Sequence, residues 1–61
     1  MTRLMVTYDD GITTFPTREE VLNWRTWKQS EIEKINKVAA GTLRRFSTTY
    51  KGVPCDIELA E

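Results

Sequence analysis

Asp9-Asp10-Gly11 sets two carboxylates beside a glycine, a pattern to weigh first as a cation site. Calcium takes about six to eight oxygens, and two acids fall far short. A hairpin turn is the better reading of this tripeptide. Thr13, Thr14, Ser47, Thr48 and Thr49 carry hydroxyls, but no base stands near them in the sequence to make one a nucleophile. The chain has no histidine and one cysteine, Cys55, so neither a zinc set nor an internal disulfide is available. Cys55 reads as a small buried apolar residue rather than a reactive thiol. No cofactor, metal or catalytic role is expected. A core of this size has little room for a cleft.

The remaining groups suit contact better than catalysis. Trp24 and Trp27 stand three apart with Arg25 and Lys28 beside them. Tryptophan and arginine are favoured anchors at protein interfaces, and aromatics with basic neighbours also stack on nucleic-acid bases. Trp24 reads as core and Trp27 as the edge of the core stripe. Leu22 points off that stripe and is a further apolar contact. Glu31 lies within the stripe, an odd place for a carboxylate, and meets either Lys28 or a partner chain. Arg44, Arg45, Lys51, Lys37 and Lys34 make a second basic group. Alternate strand residues face opposite ways, so Arg44 and Arg45 cannot share one flat surface. The expected partner-binding set is Leu22, Arg25, Trp27, Lys28, Glu31 and Arg44, with the outer sheet face around Met5 and Ile12 as the other option.

Most of these residues need a helix to position them. Thr17-Arg18-Glu19-Glu20 is a capping box, and Gly41 suits the left-handed position that follows a last helical residue. At 100° per residue, Val21, Trp24, Ile32, Ile35 and Ala39 share an arc, with Trp27 and Val38 at one side. Lys28 and Glu31 interrupt it. One helix over about 18–40 is the favoured reading. Two helices breaking near Gln29-Ser30, where Ser30 and Glu33 offer a second capping box, are the alternative. A continuous helix would run about 33 Å. The radius of gyration expected for a chain of this size is about 10–11 Å, so that rod would overhang and invite a partner.

Two hairpins flank the helix. Arg3 to Phe15 turns at Asp10-Gly11, a favoured type I′ pair. A two-residue turn there sets Tyr8 opposite Thr13, Thr7 opposite Thr14 and Val6 opposite Phe15. Thr42 to Ala60 turns at Lys51-Gly52 and pairs Tyr50 with Val53, Thr48 with Cys55, Ser47 with Asp56, Phe46 with Ile57, Arg45 with Glu58 and Arg44 with Leu59. Pro54 cannot donate to a ladder, which points to an edge position for the last strand. The fold class is α+β in the order ββαββ: a four-stranded, mostly antiparallel sheet with one central helix packed on one face. The expected core is Leu4, Val6, Phe15, Val21, Trp24, Ile32, Ile35, Phe46, Cys55 and Ile57.

Size and charge bound the function. One domain over 1–61 is expected, and a core this small rarely supplies more than about 3–5 kcal/mol. A second copy of the chain is the natural support, so a homodimer is expected. No apolar run approaches a membrane span, and the first residues lack the apolar stretch of a signal peptide. A soluble, cytoplasmic protein with no membrane partner follows. Net charge is zero, but residues 25–51 carry a balance of +5. The leading expectation is a small non-enzymatic protein-binding module that regulates or inhibits a larger protein. Chains of this kind are typical of phage or mobile-element accessory proteins that block a host enzyme. On that reading Trp27→Ala weakens binding without unfolding the chain. The alternative is a dimeric nucleic-acid-binding protein that uses the basic 25–51 region, although a pI near 6.2 is not that of a basic domain. A structural or assembly subunit is the third.

Overall fold

Leu4-Met5-Val6-Thr7-Tyr8 alternates, and its first, third and fifth residues turn to one side of a strand. In the computed structural model, which describes residues 3–60, this is β1 (Leu4–Tyr8), with Leu4 and Val6 fully buried. The chain returns as β2 (Thr13–Thr14). The connection is not the two-residue turn that Asp10-Gly11 predicted. Gly11 N–H donates to Tyr8 O (2.9 Å) and Tyr8 N–H to Ile12 O (2.7 Å), closing a three-residue loop, Asp9-Asp10-Gly11. A type I′ turn would require positive φ at Asp10, and only Gly11 has it here, at 92°. The Asp10 carboxylate accepts the Ile12 N–H (3.1 Å), the local bond by which aspartate favours this loop.

One extra loop residue shifts the register by one, and one step moves side chains across the sheet. Val6 faces Thr14 and Thr7 faces Thr13. The same register continues through the Leu4 N–H to Pro16 O bond (2.9 Å) and the Arg3–Thr17 bridge. Phe15, expected in the core opposite Val6, therefore lies beside Met5 on the outer face, 54% exposed.

The second hairpin has the expected turn and register. Lys51 and Gly52 have φ of 53° and 80°, the paired positive values of a two-residue turn. β3 (Phe46–Tyr50) pairs with β4 (Val53–Leu59) from Phe46–Ile57 to Tyr50–Val53. Arg45 reaches Glu58 (3.6 Å), whereas Arg44 precedes the strand and does not pair with Leu59. The sheet order is β2-β1-β4-β3, all antiparallel. β4 is thus interior, not the edge that Pro54 suggested. The proline is tolerated because it sits at the end of β1: alternation turns its missing N–H past Tyr8, and its carbonyl still accepts the Asp9 N–H (2.9 Å).

The helical segment packs on one face of this sheet in two pieces, α1 (Arg18–Leu22) and α2 (Gln29–Ala40). Thr17 caps α1 through both halves of its box: the Glu20 N–H donates to Thr17 Oγ1 (3.2 Å) and the Thr17 N–H to Glu20 Oε1 (2.7 Å). The single helix over 18–40 is therefore corrected to two, separated by Asn23–Lys28. The new start is not Ser30. Glu31 reaches back to the Lys28 N–H (3.0 Å) and opens α2 about three turns into the expected helix. Lysine has no acceptor, so this is only half a capping box. Gly41 closes α2 at φ 82°. The break removes any overhang: the longest extent is 26 Å and the radius of gyration 10.4 Å. No helix among the described residues is long and apolar enough to cross a membrane.

The core between helices and sheet is Leu4, Val6, Val21, Trp27, Ile35, Val38, Phe46, Cys55 and Ile57. Two further expectations are corrected here. Trp24 and Ile32 are only half-buried at the rim, and Trp27 and Val38 take interior places. Beyond Leu22 the helical period no longer applies, so Trp27 need not follow the angle that Val21 sets.

Candidate functional site on the Trp24 to Trp27 segment and strand β3

Residues 23–28 lie along the helix-facing side of β3, and their side chains follow from the strand's alternation. Phe46, Thr48 and Tyr50 point toward the helices. Trp27 packs against Phe46 with ring centroids 6.3 Å apart, and its indole Nε1–H donates to Val21 O (3.0 Å). Trp24 stacks on Tyr50 at 4.2 Å with the rings 23° apart. The Arg25 guanidinium lies 4.2 Å over the Trp27 ring. One of its nitrogens donates to Thr48 Oγ1 (2.9 Å) and stands 3.6 Å from a Glu31 carboxylate oxygen. The flat guanidinium suits this role, stacking on an aromatic face while its edge binds oxygen.

Four of the six expected partner-binding residues therefore converge: Arg25, Trp27, Lys28 and Glu31. Their roles differ from the expectation. Trp27 is 7% exposed and bonded through its only polar group, so it is structural and not a free contact. Trp27→Ala is thus expected to unfold the chain. Glu31 is engaged by Arg25 and by the Lys28 N–H, so its odd placement is explained inside the chain. Lys28 is exposed at the start of α2. Leu22 is half-buried against the core. Arg44 is exposed just before β3, and no salt bridge among the described residues joins it to the linker.

Sequence reasoning missed Trp24 and Tyr50 as the half-buried aromatic pair at the rim. The signal was present: the predicted β3 register already set Tyr50 on the helix side. The length of a continuous rod also argued for a break. Around Tyr50 the apolar surface continues into an open depression of about 250 Å³, lined by Tyr8, Asp10, Ile12, Tyr50, Lys51 and Val53. Ile12 is 57% exposed there, and the Lys51 ammonium lies 5.3 Å from the Tyr50 ring.

Two groups beneath this surface, Cys55 and Tyr8, are shifted toward their neutral forms. Burial pushes the Cys55 thiol above its ordinary pKa, helped by the Asp56 charge, and Arg25 only partly opposes this. Burial likewise raises the Tyr8 phenol. A protonated thiol is a poor nucleophile. Asp10 is committed to its turn, and no three metal-ligating side chains stand together among the described residues. Comparison with known proteins finds no matching family model, curated protein or solved structure.

Proposed function

We propose that this chain is a small protein-binding module, acting by contact to regulate or inhibit a larger protein. Its contact surface is Trp24, Arg25, Tyr50, Lys51 and Ile12. The observation that carries the reading is the Trp24–Tyr50 stack. Two large rings are fixed against each other at the surface, half-exposed, with cations beside them. Such anchors lose little rotamer freedom on binding, and aromatic and arginine side chains dominate interface energetics. Trp24 lies outside the fully buried core, so the surface can be altered without removing the interior.

Affinity purification from the native cell, followed by binding measurements on the captured protein, tests this. Trp24→Ala is expected to weaken binding roughly thirtyfold while far-ultraviolet circular dichroism stays unchanged. A folded Trp24→Ala chain with unaltered affinity removes this surface from the site. The runner-up is nucleic-acid binding by the basic 25–51 region, supported by Lys34, Arg44 and Lys51, which have no carboxylate partner among the described residues. Binding that falls steeply above about 50 mM salt in a gel-shift series is its signature, because phosphate contacts release counterions.

A further inference from the structure

β3 is an outer strand of the sheet, and its free side is unusually open. The turn at Lys51-Gly52 makes Tyr50–Val53 the first hydrogen-bonded pair, so Thr48 and Phe46 also direct their backbone groups at β4. Ser47 and Thr49 then direct N–H and C=O outward. Both residues are exposed, and neither outward N–H has a partner among the described residues. Sheet edges are usually blunted by a charge, a proline, a bulge or brevity. Phe-Ser-Thr-Thr-Tyr has none of the first three and runs for five residues.

Charge surrounds this open ladder without lying on it. Residues 41–52 contain Arg44, Arg45 and Lys51 and no acid. Lys34 lies 5.8 Å from the Phe46 ring, and Arg25 is bonded to Thr48. Two of these cations, Arg25 and Arg45, are matched by Glu31 and Glu58. Lys34, Arg44 and Lys51 are not.

We propose that the partner adds an extended acidic segment to β3 as a fifth strand. Its backbone would pair with Ser47 and Thr49, its apolar side chains would meet the Trp24–Tyr50 shelf, and its carboxylates would face Lys51 and Arg45, whose side chain stays 54% exposed beside Glu58. Those two positions are six apart, so the segment carries acids about six residues apart around an uncharged, alternating middle. Addition to an exposed edge takes affinity from main-chain bonds and specificity from alternate side chains. A second copy of this chain fits less well. The antiparallel register that pairs all of β3 with itself sets Arg45 opposite Lys51 of the other copy, a like-charge pair. Nucleic acid cannot complete an alternating amide ladder. The inference rests on the protein-binding reading and names the chemistry of the partner.

The test selects from a displayed library of random linear peptides against the intact chain, then follows amide hydrogen exchange with the best binder. Enriched peptides should be acidic at both ends and uncharged between. On binding, exchange at the Ser47 and Thr49 amides should slow at least about tenfold, reaching the range of paired strand amides. Replacing the peptide's acids by lysine should cost roughly tenfold or more in affinity. Failure to enrich any peptide, enrichment of basic ones, or binding that leaves Ser47 and Thr49 unprotected overturns the inference. Protection that rises with protein concentration alone assigns the edge to a second copy. Tight binding of an oligothymidylate with both amides unprotected assigns the surface to nucleic acid. If Trp24→Ala still weakens the native partner while Ser47 and Thr49 stay unprotected, the contact surface stands and only strand addition falls.

Discussion

The two hairpins begin from similar material and end differently. Each has a phenylalanine in or next to its outer strand and a glycine of positive φ at its turn. In β1–β2 the loop takes three residues, because Asp10 bonds the Ile12 N–H and leaves positive φ to Gly11 alone. In β3–β4 the turn takes two, and Lys51 must adopt φ 53° itself. That one-residue difference puts Phe15 outside and Phe46 inside. It also separates the edges. β2 is two residues long and runs into Pro16, whereas β3 is five residues of unbroken ladder. A turn thus decides more than where a strand reverses. It chooses which side chains reach the core and which backbone groups stay free.

The sharpest way to break this contrast is to truncate both phenylalanines. Phe46→Ala is expected to cost about 3–5 kcal/mol. That is comparable with the whole stability of a core this small, about 3–5 kcal/mol, so the variant should be largely unfolded. Phe15→Ala should stay within about 0.5 kcal/mol, as for an exposed site. Urea denaturation of both decides the matter, and similar midpoints would mean that the register of β1–β2 is misassigned. A smaller effect separates the turns. Lys51→Gly removes a left-handed lysine and should stabilise by about 1 kcal/mol. Asp10→Gly should instead lose about 0.5–1.5 kcal/mol with its bond to Ile12. Thermal midpoints moving the same way in both would contradict the different turn types.

The smallest expected change tests the seam that joins the hairpins, where Tyr8 faces Cys55 across β1–β4. Both groups are raised by burial, so the folded chain holds their protons more tightly than the unfolded chain. Stability from this source is complete at neutral pH and declines as pH climbs past about 8.5, where free thiols ionise, and on past about 10 for phenols. A urea midpoint that stays flat from neutral pH into that alkaline range would place both groups in water.

Much of the architecture was legible because several weak signals agreed. For β3–β4, the Lys51-Gly52 turn, the Phe46–Ile57 pair and the Arg45–Glu58 pair all implied one register, and it is the one observed. For β1–β2 only the turn spoke, and aspartate-glycine serves both two- and three-residue loops. The break in the helix was hidden by phase. Val21 and Ile35 lie on one face of an ideal helix, and they are also both buried across two helices. Periodicity therefore could not separate the cases, although the length of the rod pointed to the break. The candidate site suffered most, because Trp24 and Trp27 exchange their expected places once residues 23–28 leave the helix. Arg25, Lys28 and Glu31 were legible as a group, but not the contacts that bind two of them within the chain.

Cys55 is the chain's single thiol, and it is enclosed where the two ribbons meet. Alkylating reagents reach such a group when the central strands part. The pace of its modification therefore works as a clock: under mild conditions it counts spontaneous openings of the molecule, one molecule at a time. A bound strand on the far side of β4's neighbour would slow that clock without ever touching the sulfur.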